Sequence, residues 1–332
     1  MTAPGEFDLI DRIRRRVIAR DDVVLGIGDD AALLSVPSDR QLVVAMDTLN
    51  AGVHFPLDTA PAEIGWKALA VNLSDLAAMG AEPAWCTLSL SLPAADDVWL
   101  GEFLDGLDEL ASLHRVALVG GDTTRGPLSI CVTVHGFVES GRALRRDGAR
   151  VGDDVWVSGT LGDAAGALAL RGIGPVAAPA AVDSDIASVL QRRLDRPMPR
   201  IVLGRGLVGV ATSCIDVSDG LLADVGHIAK ASGVSVHIDV DALPACGQLR
   251  AAFGGDDLRR LQASGGDDYE LCFTAPASAR MDIESIAGDA SVSVTRIGTV
   301  DSGRGVIAID DAGDPWSPTR TGFDHFVTPD QR

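Results

Sequence analysis

Aspartates that close apolar runs are the chemistry-bearing feature of this 332-residue chain. Asp29 and Asp30 end VVLGIGDD, Asp47 ends QLVVAMD, and Asp122 ends VALVGGD. Asp216 ends ATSCID, with Asp219 three residues on. Such runs read as strands that stop at a loop, and loops at strand ends gather ligands in open α/β architectures. Asp is a short, hard-oxygen donor suited to Mg2+, which keeps water and phosphate in the rest of its octahedron. Carboxylates drawn together disfavour one another's charge, on the order of several kcal/mol, and a divalent cation removes that cost. Taken singly, each of these residues also fits a turn or a helix cap. Asp219, for example, suits the N-cap of the helix opening GLLADVGHIAK. Asp75 enters from a different direction. Helical spacing over 61–79 puts it on one face with Ala68, Asn72 and Met79, either as a solvated acid or as an inward ligand.

Phosphate contacts have their own candidates. Gly120-Gly121 before Asp122 permits close backbone approach to a phosphate, or simply makes a turn. GRALRRDGAR supplies Arg142, Arg145, Arg146 and Arg150, as phosphate partners or as a solvated basic loop. The start of a helix over 219–232, with Ser218 beside it, offers N–H groups to an anion. Gly26-x-Gly28-x-x-Ala31 imitates a dinucleotide fingerprint, but Asp29 and Asp30 would face the pyrophosphate, and Pro37 arrives too soon for a crossover helix. The chain has only two lysines, Lys67 and Lys230, and neither follows a Gly-rich loop, which excludes a Walker lysine. H-R-D and D-F-G are absent, which excludes the protein-kinase set. A triphosphate here would draw its positive charge from metal ions and Arg.

The elements that must position these residues alternate between strand and helix in both halves. Strands are expected at Val23–Ile27, Gln41–Met46, Trp85–Leu92, Val116–Val119 and Leu128–Val138, with helices over 61–79 and 96–113. Arg142–Asp154, rich in Gly and charge, reads as a boundary. Beyond it come strands at Val155–Ser158, Thr212–Ile215, Val234–Ile238, Glu270–Thr274 and Val292–Ile297, with helices near 162–171, 184–194, 199–209 and 219–232, and an irregular tail from Asp310. The expectation is two α/β or α+β domains, 1–148 and 149–332. Further Gly-Asp-Asp copies at 152–154 and 255–257 read as plain turns, and Tyr269 and Glu270 as structural.

Composition narrows the partners. The 47 acids (39 Asp, 8 Glu) against 28 bases give a net charge of −19, which disfavours nucleic acid and anionic membranes as partners. Five cysteines without a C-x-x-C pair argue against a disulfide framework or a thiolate zinc site. No bilayer-length apolar stretch or secretory signal is read, and the expectation is a cytoplasmic protein.

Seven ordered segments carry a resemblance: GIGDDAALL, MDTLNAGVHF, KALAVNLSDLAAMGAEPAW, GGDTTRGPLSI, IDVSDGLLADVGHIAKAS, SGGDDYELCFT and GFDHF. Together they resemble the thiamine-monophosphate kinase family, of the aminoimidazole-ribonucleotide-synthetase-like ATP-binding superfamily. The resemblance implies that fold, with an N-terminal ATP- and Mg-binding domain whose sheets form a dimeric β-barrel and a C-terminal α/β domain. In it the tail, 310–332, contributes to the substrate site. It implies ATP-dependent phosphorylation of thiamine monophosphate to thiamine diphosphate by a homodimer, with several Mg2+ ions. Carried over by motif, Asp30, Asp47, Asp75, Asp122, Asp216 and Asp219 would hold metal. Gly121, Asp122, Arg146 and Ser218 would contact ATP, and His54, Asp267 and Phe323 would meet thiamine. The residues alone leave His54 open as a packing residue and Phe323 as a tail anchor or an aromatic face for a cationic thiazolium. Two departures from the family pattern stand out: Ala45-Met46 where Ser or Thr commonly precedes the Asp-Thr pair, and Asp267 where Glu is usual. Another ATP-using synthetase of the superfamily and a non-catalytic nucleotide- or Mg-binding regulator remain alternatives. A selenophosphate-type enzyme is disfavoured, since the first Cys is Cys86 and the first Lys is Lys67.

Overall fold

The computed structural model describes residues 6–323, 325 and 326. The remainder of the 310–332 tail lies outside the described residues. Two compact units result: the described residues up to Leu76 with Ala81–Ala143, and Ala77–Gly80 with Leu144 onward.

In the first unit, α1 (Glu6–Arg14), β1 (Val23–Leu25) and β2 (Leu33–Leu34) precede β3 (Arg40–Asn50) and α2 (Pro61–Ala78). Then follow β4 (Glu82–Leu92), α3 (Asp97–His114), β5 (Ala117–Arg125) and β6 (Ser129–Glu139). Pro61 opens α2, where its missing N–H costs nothing, and Gly80 (φ +68°) follows its end. Asp96 caps α3 by accepting the N–H groups of Val98 and Trp99, both at 3.0 Å. The strands form a four-stranded sheet in the order β3-β6-β4-β5, antiparallel except for β4 with β5. One face is apolar and buried through Leu49, Leu88, Leu90, Ile130 and Val132. The other exposes Leu42, Val44 and Met46 on β3, by 43, 54 and 61%. This sheet keeps two edges, β3 and β5, so the four strands close no barrel within one chain.

The second unit runs β7 (Asp153–Ser158), α4 (Asp163–Leu170), α5 (Ser184–Asp195), α6 (Ile201–Gly206), β8 (Ser213–Val217) and α7 (Leu221–Ser232). It continues with β9 (Ser235–Asp239), α8 (Gly247–Ala252), α9 (Gly255–Ser264), β10 (Glu270–Pro276) and α10 (Arg280–Asp289). The strands β11 (Val294–Asp301), β12 (Gly305–Ile309) and β13 (Pro315–Trp316) complete it. Its seven-stranded sheet has the order β13-β12-β9-β11-β7-β10-β8, and only β12 with β9 is parallel. Val155, Val157, Ile215, Val217, Val236 and Ile238 of this sheet share a core with Leu221, Val225 and Ile228 of α7. No described helix is long and apolar enough to cross a membrane.

Several expectations need correction. The strands run past their apolar stretches, so Asp47, Asp122 and Asp216 lie inside β3, β5 and β8 rather than in loops beyond them. A ladder of main-chain bonds continues wherever a partner strand continues, whatever the side chains. The copy at 152–154 is not a plain turn. Asp153 and Asp154 begin β7, both buried, and Asp154 pairs with Arg280 at 2.6 Å and Arg296 at 3.4 Å. The copy at 255–257 opens α9.

Helices α2 and α3 cross with their backbones nearly touching. A Cβ on Gly65 would stand 1.9 Å from the Phe103 carbonyl oxygen, and one on Gly106 would stand 1.8 Å from that of Ala62. Ala is otherwise favoured over Gly in a helix by about 1 kcal/mol. Here the clash should reverse that preference: Gly106→Ala lowers the unfolding free energy by about 1–3 kcal/mol. Urea denaturation measures it, and an unchanged or raised midpoint counts against the close crossing.

Candidate functional site

The connection from β8 to α7 gathers most of the residues expected in the second unit. Asp216, buried in β8, pairs in register with Leu271 of β10. Ser218, Asp219 and Gly220 then lead into α7, and their three backbone N–H groups donate to one oxygen, Oδ2 of Asp224, at 3.0, 3.1 and 3.1 Å. The Ser218 carbonyl accepts the N–H of Asp267 at 2.8 Å, and the Asp219 carbonyl accepts that of Phe323 at 2.9 Å. Main-chain bonds thus join Ser218, Asp219, Asp267 and Phe323. Arg146 is exposed on a loop tethered to β8, where the Arg145 carbonyl accepts the N–H of Cys214 at 2.9 Å. Arg145 itself pairs with Asp147 at 2.6 Å.

Two local readings change. Asp219 is not the cap of α7: the N-cap is Gly220, at φ 129°, with no side-chain cap bond. The amides of Ser218–Gly220 are not open to an anion either, because Asp224 takes them. Phe323 is 46% exposed with its ring edge-on to His325, centroids 4.9 Å apart, so the chain anchors its main chain rather than its ring. Burial, then the charges of Asp216 and Asp219, push the Asp224 carboxyl up to about 7 against the bonds from Gly220 and Asp219. Negative charge at Asp216 and Asp219 is therefore felt in the interior. Hard oxygen donors under that repulsion fit Mg2+.

In the first unit, Asp47 donates its N–H to Oδ1 of Asn72 at 2.8 Å, so α2 covers a donor on the edge strand β3. Asp75 lies on the Asn72 face of α2, half-buried in a run of buried residues. Asp122 is exposed on the opposite edge strand, β5. Register places Asp47 in a row with Val132, Leu88 and Gly121, and Asp122 in the next row with Ser89, Cys131 and Thr48. Within this sheet the two acids are three strand spacings apart, about 14 Å, with side chains on alternate faces. Asp30 is exposed and donates its N–H to Oδ1 of Asp29 at 2.8 Å. His54 Nδ1 accepts the N–H of Asn50 at 3.0 Å, which puts the proton of a neutral ring on Nε2. Gly121 has a backbone reason to be glycine: at φ 157° its Cβ would stand 1.9 Å from the Leu88 carbonyl oxygen. Among the described residues, no group of three or more acidic, His or Cys side chains is gathered to hold a metal ion.

Comparison with known proteins decides what these segments belong to. Residues 28–138 match the model of the AIR synthase related protein N-terminal domain, and residues 150–311 match that of the C-terminal domain. The thiamine-monophosphate kinase of Escherichia coli (strain K12) is 48% identical over 330 residues, covering 98% of this chain and 100% of the relative. The chain belongs to the thiamine-monophosphate kinase family. The crystal structure of thiamine-monophosphate kinase from Stenotrophomonas maltophilia K279a superposes with a TM-score of 0.84 at 56% identity, covering 92% of this chain and 96% of that one. AaThiL complexed with AMPPCP and TMP superposes with a TM-score of 0.75 at 33% identity, covering 97% of each chain.

This thiamine-monophosphate kinase family member also carries a buried ionic network that sequence reasoning did not find. Glu270, 1% exposed at the start of β10, pairs with Arg200 and, at 2.8 Å, with Arg193, and accepts the Ser158 hydroxyl at 2.6 Å. Arg193 also reaches Asp163 at 3.3 Å. Asp268 accepts the Gly162 N–H at 2.8 Å. Burial, with the charges of Asp163 and Glu270, holds its carboxyl well above the ordinary range. Partners so far apart in sequence leave no local signal. Asp224 did leave one, as the third acid of IDVSDGLLAD.

Burial opposes ionisation of Glu270, but the bonds and charges of Arg200 and Arg193 outweigh it and lower its pKa from 4.5. A lowered native pKa means that the stabilisation is present above the unfolded value and is lost as pH falls through the native one. Glu270→Gln strands two arginines and should destabilise by about 3–5 kcal/mol at neutral pH. The deficit should narrow below pH 4.5, as denaturation of both proteins across that range would show. A deficit independent of pH excludes ionised Glu270 as its source.

Proposed function

We propose that this chain transfers the γ-phosphoryl group of ATP to the phosphate of thiamine monophosphate, giving thiamine diphosphate and ADP. Identity to thiamine-monophosphate kinases of 46 and 48% along nearly the whole chain carries the reading. The AaThiL complex with AMPPCP and TMP supports the two ligands. We assign ATP to Gly121, Asp122, Arg146 and Ser218, and thiamine monophosphate to His54, Asp267 and Phe323. Metal falls to Asp30, Asp47, Asp75, Asp122, Asp216 and Asp219. These carboxylates would hold Mg2+, several ions in this reading, which would supply charge neutralisation for the phosphoryl transfer.

The acceptor phosphate is ionised at neutral pH, so no side chain has to deprotonate it strongly. The protein's own task is to align donor and acceptor, and transfer is direct and in line. Ser218 and Asp219 stand on a loop whose main chain is fixed on both sides, which suits that task. The exposed Phe323 ring suits stacking on a cationic thiazolium. The functional division proposed is 1–148 for ATP, Mg2+ and dimerisation and 149–332 for the second domain. The Phe323–Asp219 bond supports a part for the 310–332 tail in the substrate site. We further infer a homodimer whose N-terminal sheets form one barrel, supported by the exposed apolar face at Leu42, Val44 and Met46. Five free thiols support a cytoplasmic location.

Purified protein given ATP, Mg2+ and thiamine monophosphate should form thiamine diphosphate, read by chromatography. Asp122→Asn should cut turnover by about 100-fold or more with the fold intact by circular dichroism. No product from the unsubstituted protein overturns the proposed activity, and unchanged turnover in the variant removes Asp122 from the site. Phe323→Ala should raise KM for thiamine monophosphate roughly 2- to 30-fold and leave KM for ATP and Tm alone. A fall in Tm with both KM values unchanged would return Phe323 to an anchoring role.

A further inference from the structure

The tripeptide Ser218–Gly220 is bonded on both sides of its backbone. Its three N–H groups converge on Oδ2 of Asp224, at 3.0–3.1 Å. Its carbonyls hold the N–H groups of Asp267, at 2.8 Å, and Phe323, at 2.9 Å, and start α7 by taking that of Asp224 at 3.0 Å. Successive amides turned to one point make an anion nest, which often receives a substrate phosphate. Here an internal carboxylate fills it, 3% exposed, so the loop meets solvent through its side chains.

We propose that Asp224 is a positioning residue: by gripping Ser218–Gly220 it sets the nucleotide and metal side chains and the two thiamine segments in one fixed register. The inference rests on the roles assigned above to Ser218, Asp219, Asp267 and Phe323. Packing supports it. Gly220 is at φ +129°, and a Cβ there would stand 2.8 Å from the Ser264 carbonyl oxygen. A Cβ on Gly266 would stand 2.6 Å from the Ser218 carbonyl oxygen, and one on Gly322 would stand 2.8 Å from that of Asp219. The loop is thus clamped against both thiamine segments at contact distance, and only its amide side is left to be held. Three bonds converging on one acceptor oxygen leave the loop little freedom to tilt. A tilt would move Ser218 and Asp219 one way and drag Asp267 and Phe323 with them.

A purely structural acid would lower stability when removed and leave both substrates bound as before. The test measures KM for ATP and thiamine monophosphate, calorimetric binding of thiamine monophosphate without ATP or metal, and exchange of the Ser218–Gly220 amide hydrogens. Asp224→Ala should raise both KM values about 10-fold or more, weaken thiamine monophosphate alone by a similar factor, and speed exchange of the three amides. Asp224→Asn, which keeps one oxygen for the amides, should recover most of each change. A folded Asp224→Ala with both KM values and binding within about twofold of the parent overturns the proposal. If Asp224→Ala does not fold, Asp224→Ser is judged by the same limits. Ser218→Ala and Phe323→Ala serve as controls. If neither moves a KM, the site assignment has failed; if they do and the Asp224 variants do not, the positioning role alone has failed.

Discussion

Negative charge without matching positive charge is the constraint on which the second unit is organised. The chain has 47 acids, 28 bases and only two lysines, so each buried carboxylate must be settled locally. Four different settlements are visible. Glu270 is paired with two arginines, and Asp154 with Arg280 and Arg296. Asp224 is surrounded by backbone amides. Asp268 shifts toward its neutral form. Asp216 and Asp219 follow a fourth course, since their charge reaches inward far enough to disturb Asp224. In the metal-holding role proposed for them, a divalent cation would relieve that repulsion.

Whether a signal is local decides what could be read from the chain. Helix α2 was legible because its punctuation is local: Pro61 in its first turn and Gly80 after its end. Strand ends were not, because an apolar run marks where a strand is buried and a ladder marks where it is paired. Asp47, Asp122 and Asp216 fall in the difference. The order of motifs along the chain brought Ser218, Asp219, Asp267 and Phe323 forward as candidates. Their actual connection runs through main-chain atoms, which no pattern of side chains encodes. Gly121 shows the converse. Its spacing before Asp122 suggested a phosphate, whereas the Leu88 carbonyl already demands a glycine there.

The departure at position 267 becomes intelligible on the same backbone. Asp267 sits at φ +70° and Tyr269 at φ +50°, a left-handed region that bulky residues enter at a cost and Asp enters more readily. The loop is forced into that shape from two sides: the N–H of Asp267 is held by Ser218 and that of Tyr269 by Val217. A glutamate would add reach but would sit less easily in that conformation. The aspartate has its remaining freedom reduced by the Tyr269 hydroxyl, which donates to Oδ1 at 3.2 Å. In the substrate role proposed for Asp267, what the shorter side chain would give up in length it would regain in fixed direction, which a loop clamped to the β8–α7 connection can supply.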